Sequence, residues 1–248
     1  SIDINRVETV YMDKGPLVYY VADIRMRDVS SYRSGVRFVY TQPWKYVRLE
    51  KAVFAITGDN LDRSDLPDKG CLIRKGQSYR TSGHEDALII GEDLTLRVVS
   101  YADASVRTLL DSGVRDAYSF GPTLVENGAI QEGFRRHHVS YPNPRCGIGM
   151  IAPGHWVAIV SDGRQGHYSE SISLDYFAQL FYDLGCTVAY NLDGGSSTAM
   201  CIMGEQINLH TAPGTSDCQR PWCDALMFGY SELIPDVSVG TKHDGYRH

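Results

Sequence analysis

The sequence of 248 residues predicts an α+β fold, with a mixed, largely β-sheet core and a few packed helices in a single domain. Short apolar runs that end in Gly, Asp or Asn recur along the chain, as is typical of strands joined by turns. One segment instead has helical spacing between recognisable start and stop residues. A chain of this length can bury a sizeable core, and no low-complexity linker divides it, so residues 1–248 are expected to form one domain.

The N-terminal half is predicted to be mainly strands. Residues 17–26 alternate in polarity over the length of a long strand, and residues 52–60 form an apolar run that ends in Gly-Asp-Asn. Ala87–Ile90 and residues 94–99 flank a Gly-Glu-Asp turn, which predicts a hairpin. Residues 103–110, followed by Gly113, predict a short helix.

The C-terminal half alternates strand and helix. Residues 155–160 are an apolar strand that ends in Ser-Asp-Gly-Arg. Residues 174–184 carry apolar side chains at helical spacing, with Ser173 as the N-cap and Gly185 as the stop. Residues 187–190 and 199–203 then predict two further short strands.

Charge and composition exclude some partners. The net charge is −6 without any run of Lys or Arg, which argues against nucleic acid or an anionic membrane surface as the main partner. No apolar stretch approaches the ~20 residues of a membrane span. The sequence begins at Ser1 without a signal peptide, as a trimmed or mature form would, so we expect a leader or anchor in the precursor and an extracytoplasmic location.

The six cysteines do not have the spacing of a zinc site. Cys218 and Cys223 flank a short loop and could form a disulfide in an oxidising compartment. Cys146, Cys186 and Cys201 have apolar neighbours and are predicted to be buried thiols. Cysteine usage alone therefore leaves the compartment open.

The segment 191–198 concentrates chemistry in eight residues. Asn191, Asp193, a pair of glycines (Gly194 and Gly195) and three hydroxyl residues (Ser196, Ser197 and Thr198) follow a β-prone run. This pattern favours a strand that delivers polar groups to the edge of a pocket, where paired glycines let backbone N–H groups approach a ligand. An ordinary Asp-Gly turn is the alternative. Asp162-Gly163 repeats the pattern at the end of another strand.

The order of several motifs resembles the phosphodiester glycosidase family. These motifs are residues 52–60, 120–125, 145–149, 161–164, 191–198 and 220–228. The resemblance covers about residues 50–230, after an N-terminal strand region at 1–49. That family includes hydrolases of N-acetylglucosamine 1-phosphodiesters and exopolysaccharide-related bacterial proteins. The resemblance therefore implies a hydrolase that cleaves the glycosidic C–O bond of a sugar 1-phosphodiester, in a surface or extracellular glycan.

Such a reaction needs few protein groups. Because phosphate is a good leaving group, cationic and N–H donors must stabilise it while one carboxylate acts as nucleophile or activates water. Arg145 and Arg220 are predicted to clamp the phosphate. The residues predicted to add donors are Gly194, Gly195, Ser196, Ser197 and Thr198.

Asp193 is the first candidate for the reactive carboxylate, with Asp59 and Asp162 as alternatives. Asn191 is predicted to orient a substrate hydroxyl. Each of these residues also has a structural interpretation. Asp162 could stabilise its own turn, and Arg145 could form an ion pair with Asp162 or Asp193. The long segment 132–144 is either a rim over the site or a solvated connector.

Two other functions remain open at this point. Asp59, Asp162 and Asp193 could together hold Mg²⁺ or Ca²⁺ for a phosphodiesterase that acts at phosphorus, although the glycosidase hypothesis requires no cofactor. The 16 tyrosines and 3 tryptophans could instead serve a glycan-binding module without catalysis.

Overall fold

The computed structural model describes residues 1–60, 70–81, 85–209 and 219–237. Strands dominate the described part of the chain. In order they are β1 (Ile2–Tyr11), β2 (Gly15–Arg25), β3 (Tyr32–Thr41), β4 (Ala52–Thr57), β5 (Leu72–Arg74), β6 (Gln77–Arg80), β7 (Ala87–Ile90), β8 (Leu96–Val99), β9 (Asp116–Tyr118), β10 (Thr123–Glu126), β11 (Ala129–Ile130), β12 (Arg145–Ala152), β13 (His155–Ser161), β14 (Val188–Leu192), β15 (Met200–Ile202), β16 (Glu205–Gln206) and β17 (Trp222–Tyr230). This strand-rich content confirms the predicted fold class.

The described helices are α1 (Pro43–Glu50), α2 (Val106–Asp111) and α3 (Leu174–Asp183). The capping prediction for α3 is confirmed, because Ser173 Oγ accepts a hydrogen bond from the Tyr176 N–H and Gly185 follows with a φ of +80°. Helix α2 begins later than the predicted residue 103. Its N-cap is Ser105, whose side chain accepts from the Thr108 N–H.

Seven antiparallel strands form the largest sheet, in the order β1-β2-β13-β12-β14-β10-β11. Helix α3 packs on one face of this sheet, where Phe177 and Phe181 are fully buried. A Cβ atom on Gly147 would lie 2.9 Å from the Phe177 ring, and one on Gly149 would lie 2.8 Å from the Phe181 ring. The two glycines of β12 therefore let the helix approach the sheet closely.

Two five-stranded sheets cover the other face. Their strand orders are β16-β15-β4-β17-β3 and β6-β5-β9-β7-β8. Trp156 of the large sheet, Phe228 of the second and Leu88 of the third belong to one continuous buried cluster. Because all three sheets share this core, the described residues form a single folded unit.

The sheets meet where β4 and β14 end. Met200 pairs with Ile56 in the second sheet, and Cys146 pairs with Leu192 in the first. A backbone hydrogen bond of 3.0 Å from the Asp193 N–H to the Gly58 carbonyl then links the residues after β14 to those after β4. The polar groups that follow the two strands are consequently brought to one place.

No helix in the described ranges combines the length and apolarity that a membrane crossing requires.

Candidate active site

Two adjoining cavities lie at this junction of the sheets. Their volumes are about 290 and 340 Å³, and Asn60, Asp193 and Arg220 line both of them. Asp59 and Ser197 line the first cavity, which we call the inner cavity. The second, which we call the outer cavity, is lined by Arg145, Arg164, Gly194 and Gly195 among others.

Asp193 stands at the boundary between the two cavities. Asp193 has 7 % of its surface exposed, and its Oδ2 lies 3.9 Å from Nη1 of Arg220. Arg220 is held by its backbone, whose N–H donates to the Ser196 carbonyl at 2.8 Å, while its side chain is 43 % exposed. The pair therefore combines an anchored carboxylate with a guanidinium that solvent can reach.

The two glycines after Asp193 let the loop pack closely against residue 144. The Gly195 N–H donates to the Pro144 carbonyl at 2.9 Å, and Gly195 has a φ of +59°. A Cβ on Gly194 would lie 2.8 Å from the same carbonyl oxygen. The sequence predicts that backbone N–H groups of the paired glycines approach a ligand, but the Gly195 N–H is hydrogen-bonded within the protein.

The three hydroxyl residues have different surroundings. Ser196 Oγ accepts from Arg164 Nη1 at 3.1 Å, and the Ser197 carbonyl accepts from Trp222 Nε1 at 2.9 Å. Thr198 is fully buried, and its Oγ1 has no hydrogen-bond partner among the residues that the structure describes. Ser197 is the hydroxyl residue that lines the inner cavity.

Arg164 is a second arginine at the outer cavity, and the sequence analysis did not select it. Its Nη2 donates to Asn143 Oδ1 at 2.8 Å, and its backbone N–H donates to Ser171 Oγ at 3.1 Å. The residue adopts a φ of +60°, which is unusual for a residue with a side chain. The sequence signal that could have identified Arg164 was its place in the Asp-Gly-Arg motif at the end of a strand.

Arg145 is buried, with 2 % of its surface exposed. Its Nε donates to the Ile172 carbonyl at 3.3 Å, and its Nη2 donates to the carbonyls of Val139 and Tyr141 at 2.9 and 2.6 Å. Burial lowers the pKa of Arg145 to about 10. Within the described ranges Arg145 forms no ion pair with Asp162 or Asp193, so the alternative of a structural ion pair is wrong, and the guanidinium binds backbone carbonyls instead.

The segment 132–144 is consequently a rim of the outer cavity. His138, Val139 and Asn143 line that cavity, and Arg145 binds two of the segment's carbonyls. Of the two interpretations that the sequence left open, the structure supports the rim.

Asp59 lines the inner cavity, but its carboxylate is bound on several sides. Oδ2 accepts from the Ser119 N–H at 2.7 Å, and Oδ1 lies 3.4 Å from Nη2 of Arg80. Nη2 of Arg74 lies 3.9 Å from Oδ2. These contacts position Asp59 firmly at the cavity wall.

Behind Asp59 lies a buried ion pair that the sequence analysis missed. Arg74 donates to both carboxylate oxygens of Asp224, at 2.9 and 2.6 Å, and Asp224 Oδ2 also accepts from the Asp59 N–H at 2.7 Å. Arg74 and Asp224 are each 1 % exposed. A charged residue at the end of the short apolar strand β5 and another inside the apolar strand β17 were the sequence signal for this pair.

Asp162 lies away from both cavities and is fully buried. Its Oδ1 accepts from the Leu209 N–H at 2.9 Å and from Asn208 Nδ2 at 3.2 Å, and its Oδ2 accepts from the Tyr168 hydroxyl at 3.1 Å. Burial raises the pKa of this carboxyl, against the opposing effect of these hydrogen bonds. Asp162 thus joins the end of β13 to residues 208 and 209.

In the described part of the chain, Asp59, Asp162 and Asp193 do not form a group of ligand oxygens close enough to share an ion. The set of three that the sequence suggested for Mg²⁺ or Ca²⁺ is therefore not brought together. Metal dependence itself stays a prediction that chelation would test.

Asn191 is 1 % exposed and lines neither cavity. Its Nδ2 donates to the Gly121 carbonyl at 2.6 Å, and its backbone N–H donates to the Pro122 carbonyl at 3.1 Å. The Asn191 side chain therefore fixes the segment 120–122 to strand β14, and its predicted contact with a substrate hydroxyl stays untested.

Cys146, Cys186 and Cys201 are buried thiols, as predicted. The predicted disulfide between Cys218 and Cys223 involves residue 218, which lies outside the described residues.

Comparison with other proteins identified a sequence relative, solved structures of similar fold and a matching family. A Bacillus subtilis strain 168 relative, the SPbeta prophage-derived uncharacterized protein YomE, is 28 % identical over 204 residues, which are 79 % of this chain. The chain spans only 31 % of the length of that relative.

Two solved structures share the fold. One is the catalytic domain of zebrafish N-acetylglucosamine-1-phosphodiester alpha-N-acetylglucosaminidase, auto-inhibited by its pro-peptide, with a TM-score of 0.74 and 18 % identity, covering 93 % of this chain and 83 % of that chain. The other is a hypothetical protein from Synechocystis, with a TM-score of 0.62 and 15 % identity, covering 91 % of this chain and 61 % of that one.

Residues 50–228 match the family described as phosphodiester glycosidase. This range includes all the residues that line the outer cavity and, apart from Tyr40, those that line the inner cavity. The chain therefore belongs to the phosphodiester glycosidase family.

Proposed function

We propose that this chain hydrolyses the glycosidic C–O bond of a sugar 1-phosphodiester, in a surface or extracellular glycan, with Asp193 as the reactive carboxylate. The observation that carries the proposal is the position of Asp193 and Arg220 between two joined cavities, with 3.9 Å between Oδ2 and Nη1. Two joined cavities suit a substrate with a group on each side of the bond that breaks. Family membership supports the reaction class.

Among the three aspartates, position favours Asp193, because it lines both cavities beside Arg220, whereas Asp59 lines the inner cavity alone and Asp162 lines neither. The Asp162 carboxylate is fully buried and accepts from three donors, and the Asp59 carboxylate is held by Ser119 and two arginines. These contacts give both carboxylates a structural role within the protein. We therefore assign Asp59 to shaping the inner cavity and Asp162 to the fold.

We assign the phosphate contacts to Arg220 and Arg164, which line the outer cavity with Asp193 and Gly195. A guanidinium matches the oxygens of phosphate geometrically and keeps its charge at any physiological pH. As phosphate leaves the anomeric carbon, its growing negative charge would be stabilised by these two side chains, which reduces the need for a protein acid. Arg145, which the sequence placed in this clamp, is assigned instead to the rim, because it donates to three carbonyls.

Hydrolysis in ¹⁸O-labelled water tests the proposal directly. An N-acetylglucosamine 1-phosphodiester is a suitable first substrate, since the zebrafish relative carries that activity in its name. Label in the sugar is expected, because water then attacks the anomeric carbon. Label in the phosphate would overturn the proposal in favour of a phosphodiesterase that acts at phosphorus.

A panel of sugar 1-phosphodiesters with different sugars guards against an unsuitable first substrate. Glycan binding across the whole panel without turnover of any member would replace the hydrolase with a binding module. The remaining alternative is a metal-dependent phosphodiesterase, which is tested by adding EDTA to an active preparation. The proposed reaction needs no metal and should keep its rate.

A further inference from the structure

A carboxylate and two imidazoles lie together outside the machinery proposed above. One ligand atom each from Glu85, His137 and His138 falls within 4.8 Å of the others. We propose that these three residues bind one divalent transition-metal ion with the ligand preference of Zn²⁺. This inference does not depend on the proposed hydrolysis, because none of the three residues is assigned to that reaction.

The distances fit a metal after small side-chain movements. Nε2 of His137 lies 2.6 Å from Oε2 of Glu85, and the rings of His137 and His138 have centroids 4.3 Å apart. In a tetrahedral zinc site with bonds of about 2.0–2.2 Å, ligand atoms lie about 3.4 Å apart. Rotation about the side-chain bonds of His137 and His138 would bring their nitrogens to this spacing, with the ion in place of the proton between His137 and Glu85.

The carboxylate is positioned before any ion arrives. Glu85 is 8 % exposed and packs so closely on Gly121 that a Cβ there would collide with the carboxyl group. No Lys or Arg of the described residues forms an ion pair with Glu85, in contrast to Asp59 and Asp224, and its partner is His137. A bound cation would therefore compensate a buried negative charge that otherwise has only an imidazole beside it.

The His137 ring is also oriented before any ion arrives. Nδ1 of His137 lies 3.4 Å from the Val139 backbone nitrogen, so this ring atom accepts a hydrogen bond and Nε2 faces Glu85. The next residues are fixed by Arg145, which donates to the carbonyls of Val139 and Tyr141. Coordination through Nε2 would leave the proton of the neutral imidazole on Nδ1, so the 3.4 Å contact with the Val139 N–H would be given up and Nδ1–H would become a donor of the kind that orients histidine ligands.

The donor set determines the class of ion. Two imidazole nitrogens and one carboxylate oxygen suit zinc and its neighbours in the first transition series, whereas Mg²⁺ and Ca²⁺ prefer oxygen ligands alone. Three protein ligands leave a fourth position for water. His138 lines the outer cavity together with Asp193 and Arg220, so the ion would sit in the wall of that cavity and tie the rim to Glu85.

Zinc titration tests the proposal. The protein is stripped with a chelator, dialysed, and titrated with Zn²⁺ by isothermal calorimetry, with a fluorescent zinc indicator as a competitor. We expect one Zn²⁺ per chain and no competition from millimolar Mg²⁺. Glu85→Gln and His138→Asn should each weaken binding at least about tenfold, because each removes one of three ligands.

His155→Asn is the matched control, since Nε2 of His155 lies 2.9 Å from Asp23 Oδ2 in a histidine–carboxylate pair that has no third ligand among the described residues. It should bind zinc like the unaltered protein. His138 is exposed, so its variant should fold even if Glu85→Gln does not. Zinc should also slow hydrogen exchange in the segment 132–144, and His138→Asn should abolish this effect. The proposal is overturned if the unaltered protein binds no zinc, or if His155→Asn weakens binding as much as His138→Asn.

Discussion

Asp193 and Asp162 both follow strands of the large sheet, and both precede a glycine, yet their surroundings differ. Asp162 is fully buried and accepts hydrogen bonds from Tyr168, Asn208 and Leu209. Asp193 lines two cavities beside Arg220. At the scale of single residues, the same Asp-Gly pattern therefore allows two roles. Asp162 is enclosed and serves the fold, whereas Asp193 lines the cavities.

Replacement of Asp193 by Asn should reduce kcat by about 10²- to 10⁴-fold, because the amide is neither a base nor a nucleophile. The measurement is the rate of phosphate-monoester release from a sugar 1-phosphodiester. Asp111→Asn is the control, since Asp111 is exposed on α2 and its ion pair among the described residues is with the exposed Arg107. Full turnover by the Asp193→Asn enzyme would remove Asp193 from its proposed role.

Arg220→Ala and Arg164→Ala should each lower kcat/KM for phosphodiesters. A hydrogen bond to a charged group contributes about 1.5–3 kcal/mol, which corresponds to roughly 10- to 150-fold. Arg107→Ala is a suitable control, because the Arg107 side chain is 94 % exposed and distant from the cavities. Unchanged kcat/KM in both cavity variants would contradict the proposed phosphate contacts.

Strand β12 begins with an arginine that connects three elements. Through its guanidinium, Arg145 binds the carbonyl of Ile172 just before α3 and two carbonyls of the segment 132–144. Its backbone N–H donates to Ser161 Oγ at the end of β13. At the scale of elements, one buried side chain thus holds the rim of the outer cavity against the sheet.

Arg145→Met should release the rim, because methionine fills similar space but leaves the carbonyls of Val139 and Tyr141 without their donor. Faster hydrogen exchange and faster proteolysis are expected within residues 132–144, together with a lower Tm. The control is Arg136→Met, which alters an exposed residue of the same segment. If Arg145→Met instead weakened substrate binding without a change in exchange, Arg145 would act on the phosphate, as the sequence suggested.

The three sheets share one buried cluster, and the two cavities open where the first and second sheets meet. The chain carries a net charge of −6, while three arginines, Arg145, Arg164 and Arg220, line the outer cavity. At the scale of the whole molecule, a local positive region on an acidic protein can attract a small phosphodiester without favouring a long polyanion such as nucleic acid.

Burial of Asp162 should affect the stability of the whole protein as pH changes. Because the folded state raises the pKa of this carboxyl above its usual 3.8, the folded protein binds the proton more tightly than the unfolded chain. The contribution of Asp162 to stability is therefore fully present below the unfolded pKa and decreases as the pH rises through the folded pKa.

Urea unfolding of the unaltered protein and of Asp162→Asn between pH 4 and pH 7 measures this effect. The stability advantage of the unaltered protein over the variant should be larger at pH 4 than at pH 7. Asp111→Asn corrects for the loss of one negative charge at the surface. An advantage that grows with pH would show that the hydrogen bonds to the Asp162 carboxylate outweigh its burial.

Local patterns were enough to predict much of the fold. The α3 caps, the hairpin of β7 and β8, and the long strand β2 follow from turn residues and from the periodicity of apolar side chains, which act over a few neighbouring residues. Motif order identified the family, and the same motifs selected Asp193 and Arg220, which the structure places together.

Long-range contacts decided the rest. Arg74 pairs with Asp224 across 150 positions of sequence, Glu85 meets His137 across 52, and Arg164 reaches the cavity by contacts that its motif does not specify. Sequence by itself determined which residue types were present and which local elements they formed, because propensity and capping depend on near neighbours. Only the tertiary structure decided that the side chains of Asp162 and Arg145 form hydrogen bonds within the protein while Asp193 lines a cavity. The reason is that the pairing of buried polar groups depends on which distant strands pack together.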